Sequence, residues 1–232
     1  MNDTRGERAT DGRTRSRRLV AGPLALLAGY ALLRPRLNNW GATADERDAT
    51  LPGDELVPRP NYQTTRAVTV DAPPEDVWPW LVQLGAGRGG LYSYDWLDVL
   101  FGVLDAPSAE RVLPQHQRLE AGDEISLGAE GGGLLVERVD PERALVTVSE
   151  AFTDGTLTWV FALEPLADGR TRLLTRNRAR VEWSPRAVLT LLGLEPAAFA
   201  MTRKMLLGIK RRAEREAVRI AVGVDADIAG RR

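Results

Sequence analysis

Residues 133–183 read GLLVERVDPERALVTVSEAFTDGTLTWVFALEPLADGRTRLLTRNRARVEW, and this stretch decides the fold. It holds four apolar or alternating runs, Gly133–Val139, Ala144–Phe152, Leu157–Glu164 and Arg170–Trp183. Turn signals separate them: Asp140-Pro141, Thr153-Asp154-Gly155 and Ala167-Asp168-Gly169. Period-two alternation bounded by such punctuation predicts a meander of antiparallel strands. Upstream, Asp123–Gly128 adds a further strand, joined through Glu130-Gly-Gly-Gly133.

Working outward from the meander, the flanks are helical. Downstream come a short helix near Arg186–Leu192 and a long one from about Pro196 to Ala221. The long helix carries Phe199, Met205, Leu206, Ile209, Ala213, Ala217 and Ile220 on one face. Its opposite face is basic, with seven positive and two negative charges between Arg203 and Arg219. Upstream, Arg66–Asp71 alternates as a strand. Ala72-Pro-Pro-Glu-Asp76 then opens a helix that carries Val77, Trp78, Leu81, Val82 and Leu84, with Pro79 inside it as a kink or a freed carbonyl. A short aromatic helix, Tyr92 to Phe101, follows. Strand, two helices, five or more strands and a long amphipathic helix make an α+β domain over residues 66–221, in which a curved sheet covers a helix.

The N-terminal part has a different texture. Residues 1–18 hold six Arg against three acids and are expected to be a disordered basic arm. Leu19–Leu33 is uncharged and ends at Arg34-Pro35-Arg36. A helix of that length spans about 22 Å against a hydrocarbon core of about 30 Å. A membrane anchor (19–37), a signal peptide and a packed helix compete. The anchor is preferred, because Arg34-Pro35-Arg36 occupies the place of a cleavage site. The expected localisation is therefore membrane-anchored, with a cytoplasmic protein as the alternative. Residues 38–65 hold three prolines and little periodicity, and read as a linker or wrapping segment; residues 222–232 read as a tail.

Composition excludes more than it proposes. The chain has 232 residues with a net charge of −1, which argues against a dedicated nucleic-acid binder. It has no cysteine, so disulfides, thiolate metal sites and cysteine nucleophiles are excluded. A single histidine, His116, leaves no multi-histidine cage, and no metal or cofactor is expected. Gly85-Ala-Gly-Arg-Gly-Gly90 matches G-x-G-x-x-G, but the segment before it is helical and no acid-tipped strand follows. It therefore reads as a turn between helices. Asp95, Asp98, Asp123 and Glu124 are possible acid–base groups, but no spacing singles out a pair.

Six aromatics, Trp78, Trp80, Tyr92, Tyr94, Trp96 and Phe101, fall close together. They read either as core or as the wall of a cavity. Trp159 and Phe161 share one strand face, and Leu173, Thr175, Asn177, Ala179 and Val181 share the next, opposite Arg172, Arg176, Arg178 and Arg180. Thr and Asn among apolar residues suit a partly polar cavity better than a dry core. The candidate ligand-binding residues are Tyr92, Tyr94, Trp96, Trp159, Phe161, Met201 and Met205 as walls, with Thr175 and Asn177 orienting a polar end. The arginines read as solvated surface, with lipid headgroups as the alternative.

The run Arg66-Ala-Val-Thr-Val-Asp-Ala-Pro-Pro-Glu-Asp-Val-Trp-Pro-Trp-Leu-Val-Gln-Leu-Gly85 resembles the opening of START/SRPBCC-superfamily proteins, the polyketide cyclase/dehydrase and lipid-transport group. Tyr92-Ser-Tyr-Asp95, Gly122-Asp123, Trp159-Val-Phe161, Gly169-Arg-Thr-Arg172 and Met205-Leu-Leu-Gly-Ile-Lys210 extend the resemblance over about residues 40–215. It implies a helix-grip fold of six to seven strands around the C-terminal helix, with a cavity between them. The seventh strand would come from Glu110–Leu113 or from part of Arg170–Trp183. It also implies a hydrophobic small-molecule partner and no assigned catalytic residue. A cyclase or dehydratase acting through Asp95 or Tyr94, and a membrane-tethered module acting through the basic last helix, are the alternatives.

Overall fold

The structure is a computed structural model that describes residues 29–100, 102–128, 132–149, 156–182 and 184–229. The chain divides into two units, 1–37 and 38–232. In the first, the described residues 29–37 are helical and belong to a helix, α1, that ends at residue 38. The expected basic arm and residues 19–28 of the apolar stretch lie outside the described residues. Among those described, no helix is long and apolar enough to cross a membrane.

The second unit contains a short helix α2 (Ala44–Asp48), strand β1 (Tyr62–Val70), helices α3 (Pro74–Val82) and α4 (Asp95–Leu100), strands β2 (Glu124–Ser126), β3 (Gly133–Asp140), β4 (Ala144–Ser149), β5 (Leu157–Pro165) and β6 (Thr171–Ala179), and a long helix α5 (Pro185–Ala229). The strands form one curved sheet in the order β1-β6-β5-β4-β3-β2, every pair antiparallel. Pairing of β1 with β6 brings the first strand beside the last, so β1 and β2 are the two edges of the sheet. A register shift between Val136 and Arg138 bends β3.

One sheet face carries Leu134, Val136, Leu145, Phe161, Leu163 and Leu173 into a core shared with α3 and α5. Helix α5 contributes Met205, Leu206, Ile209 and Ala213 to it, at the spacing of a single helical face. Gly208 permits the approach, since any side chain there would collide with the backbone oxygen of Tyr92. Lys210 Nζ donates to Thr69 O at 2.7 Å and Asp71 N donates to Glu214 Oε1 at 2.8 Å, tying α5 to the end of β1.

The opposite face is covered by the segment expected as a linker or wrapping segment. It wraps. Arg176, 1 % exposed, spends all five guanidinium donors on this. They reach Thr65 Oγ1, Asp54 Oδ2 (2.7 Å) and the backbone oxygens of Glu46, Arg47 and Ala49, which are the free carbonyls at the end of α2. Arg172 grips Glu46 at 2.6 Å and Arg178 meets Asp54 at 3.0 Å. These three arginines are therefore not the solvated surface that the alternation suggests. Leu51, Ala67, Ala162 and Leu174 form a small apolar cluster beneath the wrap.

Other expectations shift. The short helix near Arg186–Leu192 and the long helix from Pro196 are one helix, which continues through Pro196. Proline removes one backbone donor, yet the helix runs on through it, and Glu195 immediately before it is buried. Strand β6 stops at Ala179, where the Asn61 side chain exchanges hydrogen bonds with Val181 N and O (2.7 and 2.8 Å) and takes the place of a ladder partner. Glu110–Leu113 is irregular, with Glu110 paired to Arg212 and Arg215 of α5, so six strands are present among the described residues. The aromatic helix expected from Tyr92 is shorter, Asp95–Leu100.

Candidate functional site

Two cavities lie between the sheet and α5, of about 250 and about 340 Å³, and they share Leu127, Trp159, Ala198 and Thr202. Their position follows from element spacing. From Ala198 to Met205 the helix crosses the sheet above Trp159, while Leu127, just after β2, closes the side. Farther along α5, Ile209 and Ala213 fill the corresponding space with side chains. The gap therefore belongs to the part of the helix where small and flexible residues, Ala198, Met201 and Thr202, face the sheet.

The larger cavity is nearly all apolar: Leu91, Val103, Leu127, Trp159, Met201 and Met205, with Ser93 and Thr202 as its polar members. The smaller cavity has a more polar wall, where Tyr62, Asn177, Glu195 and Thr202 join Leu134, Leu157 and Trp159. Trp159 spans both. Its indole Nε1 donates to Thr175 Oγ1 at 2.8 Å, which fixes the ring plane and leaves the apolar faces to the cavity. Thr64 Oγ1 donates to Asn177 Oδ1 at 3.3 Å across the β1–β6 pair. Beside them Arg66 is buried, its guanidinium 5.8 Å from the Phe199 ring. Burial pushes its pKa down, while Tyr62 and Glu195 oppose that shift.

Of the expected ligand-binding residues, Trp159, Asn177, Met201 and Met205 line these cavities, and Thr175 positions Trp159 from behind. Phe161 is buried core, its ring centroid 5.3 Å from that of Trp159. The front aromatics stand outside the lining of these two cavities. Tyr92 packs edge-on to Trp80 with Arg212 4.9 Å from its ring centroid, and its hydroxyl accepts from Gln83 Nε2 at 2.9 Å. Burial raises its phenol above the ordinary range. Tyr94 has Lys204 5.7 Å from its ring centroid. Trp96 is 68 % exposed, because α4 turns Trp96, Val99 and Leu100 outward on one face.

Of the expected acid–base groups, Asp95 and Asp98 are engaged in hydrogen bonds. Asp95 Oδ1 accepts from Ser108 Oγ at 2.6 Å. Asp98 is buried, with Ser93 Oγ 2.5 Å from its Oδ2 and no hydrogen-bond partner at Oδ1. Burial pushes the Asp98 carboxyl up; the Ser93 hydrogen bond opposes this and the neighbouring Asp95 charge adds to it. The Gly85–Gly90 loop is a closed turn, with Gly85 and Gly90 exchanging backbone hydrogen bonds at 3.0 Å. His116 lies in a short 3-10 turn where its backbone oxygen accepts from Arg88. Among the described residues no group of three acidic or histidine side chains is placed to hold a metal.

Sequence reasoning missed Ser93, Leu127, Glu195 and Thr202. Ser93 enters only as part of Tyr92-Ser-Tyr-Asp95 and not as a cavity residue, and Glu195 precedes a proline that reads as a helix boundary. The helical spacing Ala198, Met201, Thr202, Met205 is the one signal that points to this wall.

No protein-family model matches the chain, and neither does any curated protein. Similar solved structures are MLL2253 from Mesorhizobium loti (19 % identity, 65 % of this chain and 98 % of that one, TM-score 0.38), TTHA0849 from Thermus thermophilus (15 %, 66 % and 97 %, TM-score 0.38) and CalU16 from Micromonospora echinospora (14 %, 67 % and 85 %, TM-score 0.34). At these values the architecture rests on the strand order and register of the chain itself.

Proposed function

We propose that this chain binds or carries a hydrophobic or amphipathic small molecule between the sheet and α5. The observation that carries this is the pair of adjoining cavities with Trp159 as their common wall, apolar in one and partly polar in the other. A molecule with an apolar body and a polar end matches that division. Burying about 200 Å² of its apolar surface contributes about 5 kcal/mol before the costs of binding. Met201 and Met205 suit an adaptable wall, since the thioether chain is flexible and polarizable. Binding is favoured over catalysis through Asp95 or Tyr94, because both side chains are held in other contacts.

The test is native mass spectrometry of the full-length protein before and after extraction with organic solvent. A discrete extra mass that extraction removes, and that Trp159→Ala reduces by about tenfold in affinity on reloading (about 1.4 kcal/mol), is the expected result. A bare chain mass that takes up nothing from a mixture of lipids and aromatic polyketides overturns the proposal.

A further inference from the structure

Helix α4 is turned the opposite way to its amphipathic pattern. Asp98 is 1 % exposed, whereas Trp96 and Leu100 stand in solvent. A local rule broken in this way points to a site rather than to packing. The chain folds back over Asp98, whose backbone oxygen accepts from Val103 N (2.8 Å) and Leu104 N (3.2 Å), and Val103 thereby becomes part of the larger cavity's wall. Ser93, 7 % exposed, sits between Asp98 and that cavity: its hydroxyl is 2.5 Å from Asp98 Oδ2, and the residue lines the apolar wall.

We propose that Ser93, backed by Asp98, donates a hydrogen bond to a carbonyl oxygen of the bound molecule, which makes the ligand class an uncharged, largely apolar carbonyl compound. The inference rests on the cavity proposed above and specifies its chemistry. In the acid form the Asp98 O–H donates from Oδ2 to Ser93 Oγ, and the serine proton is free to point into the cavity. In the ionised form Asp98 can only accept, and the serine hydroxyl donates to it instead of to the cavity. The unpartnered Oδ1 agrees with the acid form, since a buried charged oxygen without a partner is far costlier than a buried carbonyl oxygen. The charged groups at this corner are Asp95 on α4, and Lys204 and Arg212 of α5, which lie over the Tyr94 and Tyr92 rings. Of these, Asp95 acts on Asp98, and its like charge favours the acid form. An anionic ligand would meet both carboxyl groups, so a neutral acceptor fits better.

The probes are prodan, a neutral aminonaphthyl ketone whose emission moves to the red when its carbonyl accepts a hydrogen bond, and the same aminonaphthalene without its acyl group. Full-length protein is titrated with each. Ser93→Ala is expected to weaken prodan binding by about tenfold and shift its bound emission to the blue, while the carbonyl-free probe binds both proteins alike and reports an intact cavity. As pH rises through the Asp98 titration, the wild type loses its preference for the ketone. Asp98→Asn cannot ionise, and its alkaline prodan affinity rises to the wild type's acid-side value. Equal prodan affinities in wild type and Ser93→Ala, with the carbonyl-free probe bound, overturn the role of Ser93 and leave the cavity standing. A wild-type preference that ignores pH overturns the role of Asp98. Binding of neither probe overturns the cavity itself and this inference with it.

Discussion

Arg176 decides more about this molecule than any other single side chain. A guanidinium placed on the outer face of a strand ordinarily reaches solvent, yet here it is buried and donates to two side chains and three backbone oxygens. Replacing it with Met would leave Asp54 partly unpaired and the carbonyl end of α2 without donors. Removing one partner of a buried ion pair costs about 3–5 kcal/mol. Arg176→Met is thus expected to lower the urea midpoint by that equivalent, and adding Asp54→Asn should recover part of it. A loss below about 1 kcal/mol, the range of an exposed pair, would mean that the wrap is held by other contacts. The alternation Arg172, Arg176, Arg178 is plain in the sequence and correctly places these residues on one face. What covers that face was not legible, because their partners lie more than a hundred residues earlier.

At the scale of elements, the segment from Gly41 to Val57 behaves as part of the domain. Its helix α2 has only five residues, too short to persist alone, and is closed by a reciprocal Thr43–Glu46 capping box. Glu46 serves twice, capping the helix and pairing with Arg172. A chain beginning at residue 60 retains every strand but uncovers Leu51's partners Ala67, Ala162 and Leu174, together with three arginines that have lost most of their acceptors. Such a chain is expected to aggregate or to melt well below the full-length protein. Size-exclusion chromatography with circular dichroism checks this, and a monomer of unchanged melting temperature would overturn it. The strands were legible because period-two patterns and turn residues are local. Helix α5 was legible from Phe199 onward but not across Pro196, where local chemistry argues for a break and the helix nonetheless continues.

For the whole molecule, pH acts through carboxyls shifted in both directions, of which Glu46 and Asp98 are the most buried. Hydrogen bonding from Arg172 holds Glu46 below the usual carboxylate range, so its stabilising contribution is present above the ordinary glutamate value and fades as pH falls through the lowered one. Burial holds Asp98 above the usual range, so its contribution is present below the ordinary aspartate value and fades as pH rises through the raised one. The melting temperature is therefore expected to fall on both sides of a mildly acidic optimum. Glu46→Gln should flatten the acid limb, and Asp98→Asn the limb toward neutral pH. Unchanged limbs in both variants, followed by differential scanning calorimetry, would show that other groups set the profile. The sequence by itself determined the class of fold: the meander, the leading strand and helix, and the amphipathic end helix are written in local periodicity, which depends only on backbone geometry and burial. Trp159, Asn177, Met201 and Met205 were also within its reach, because side-chain alternation assigns a face. Only the tertiary structure decided which aromatics meet the cavity and which stand in solvent, since the rotation of a six-residue helix such as α4 is set by what packs around it. It alone set the Ser93–Asp98 pair against the cavity wall and joined Arg176 to Asp54 under the wrap, because both placements depend on where distant segments come to rest.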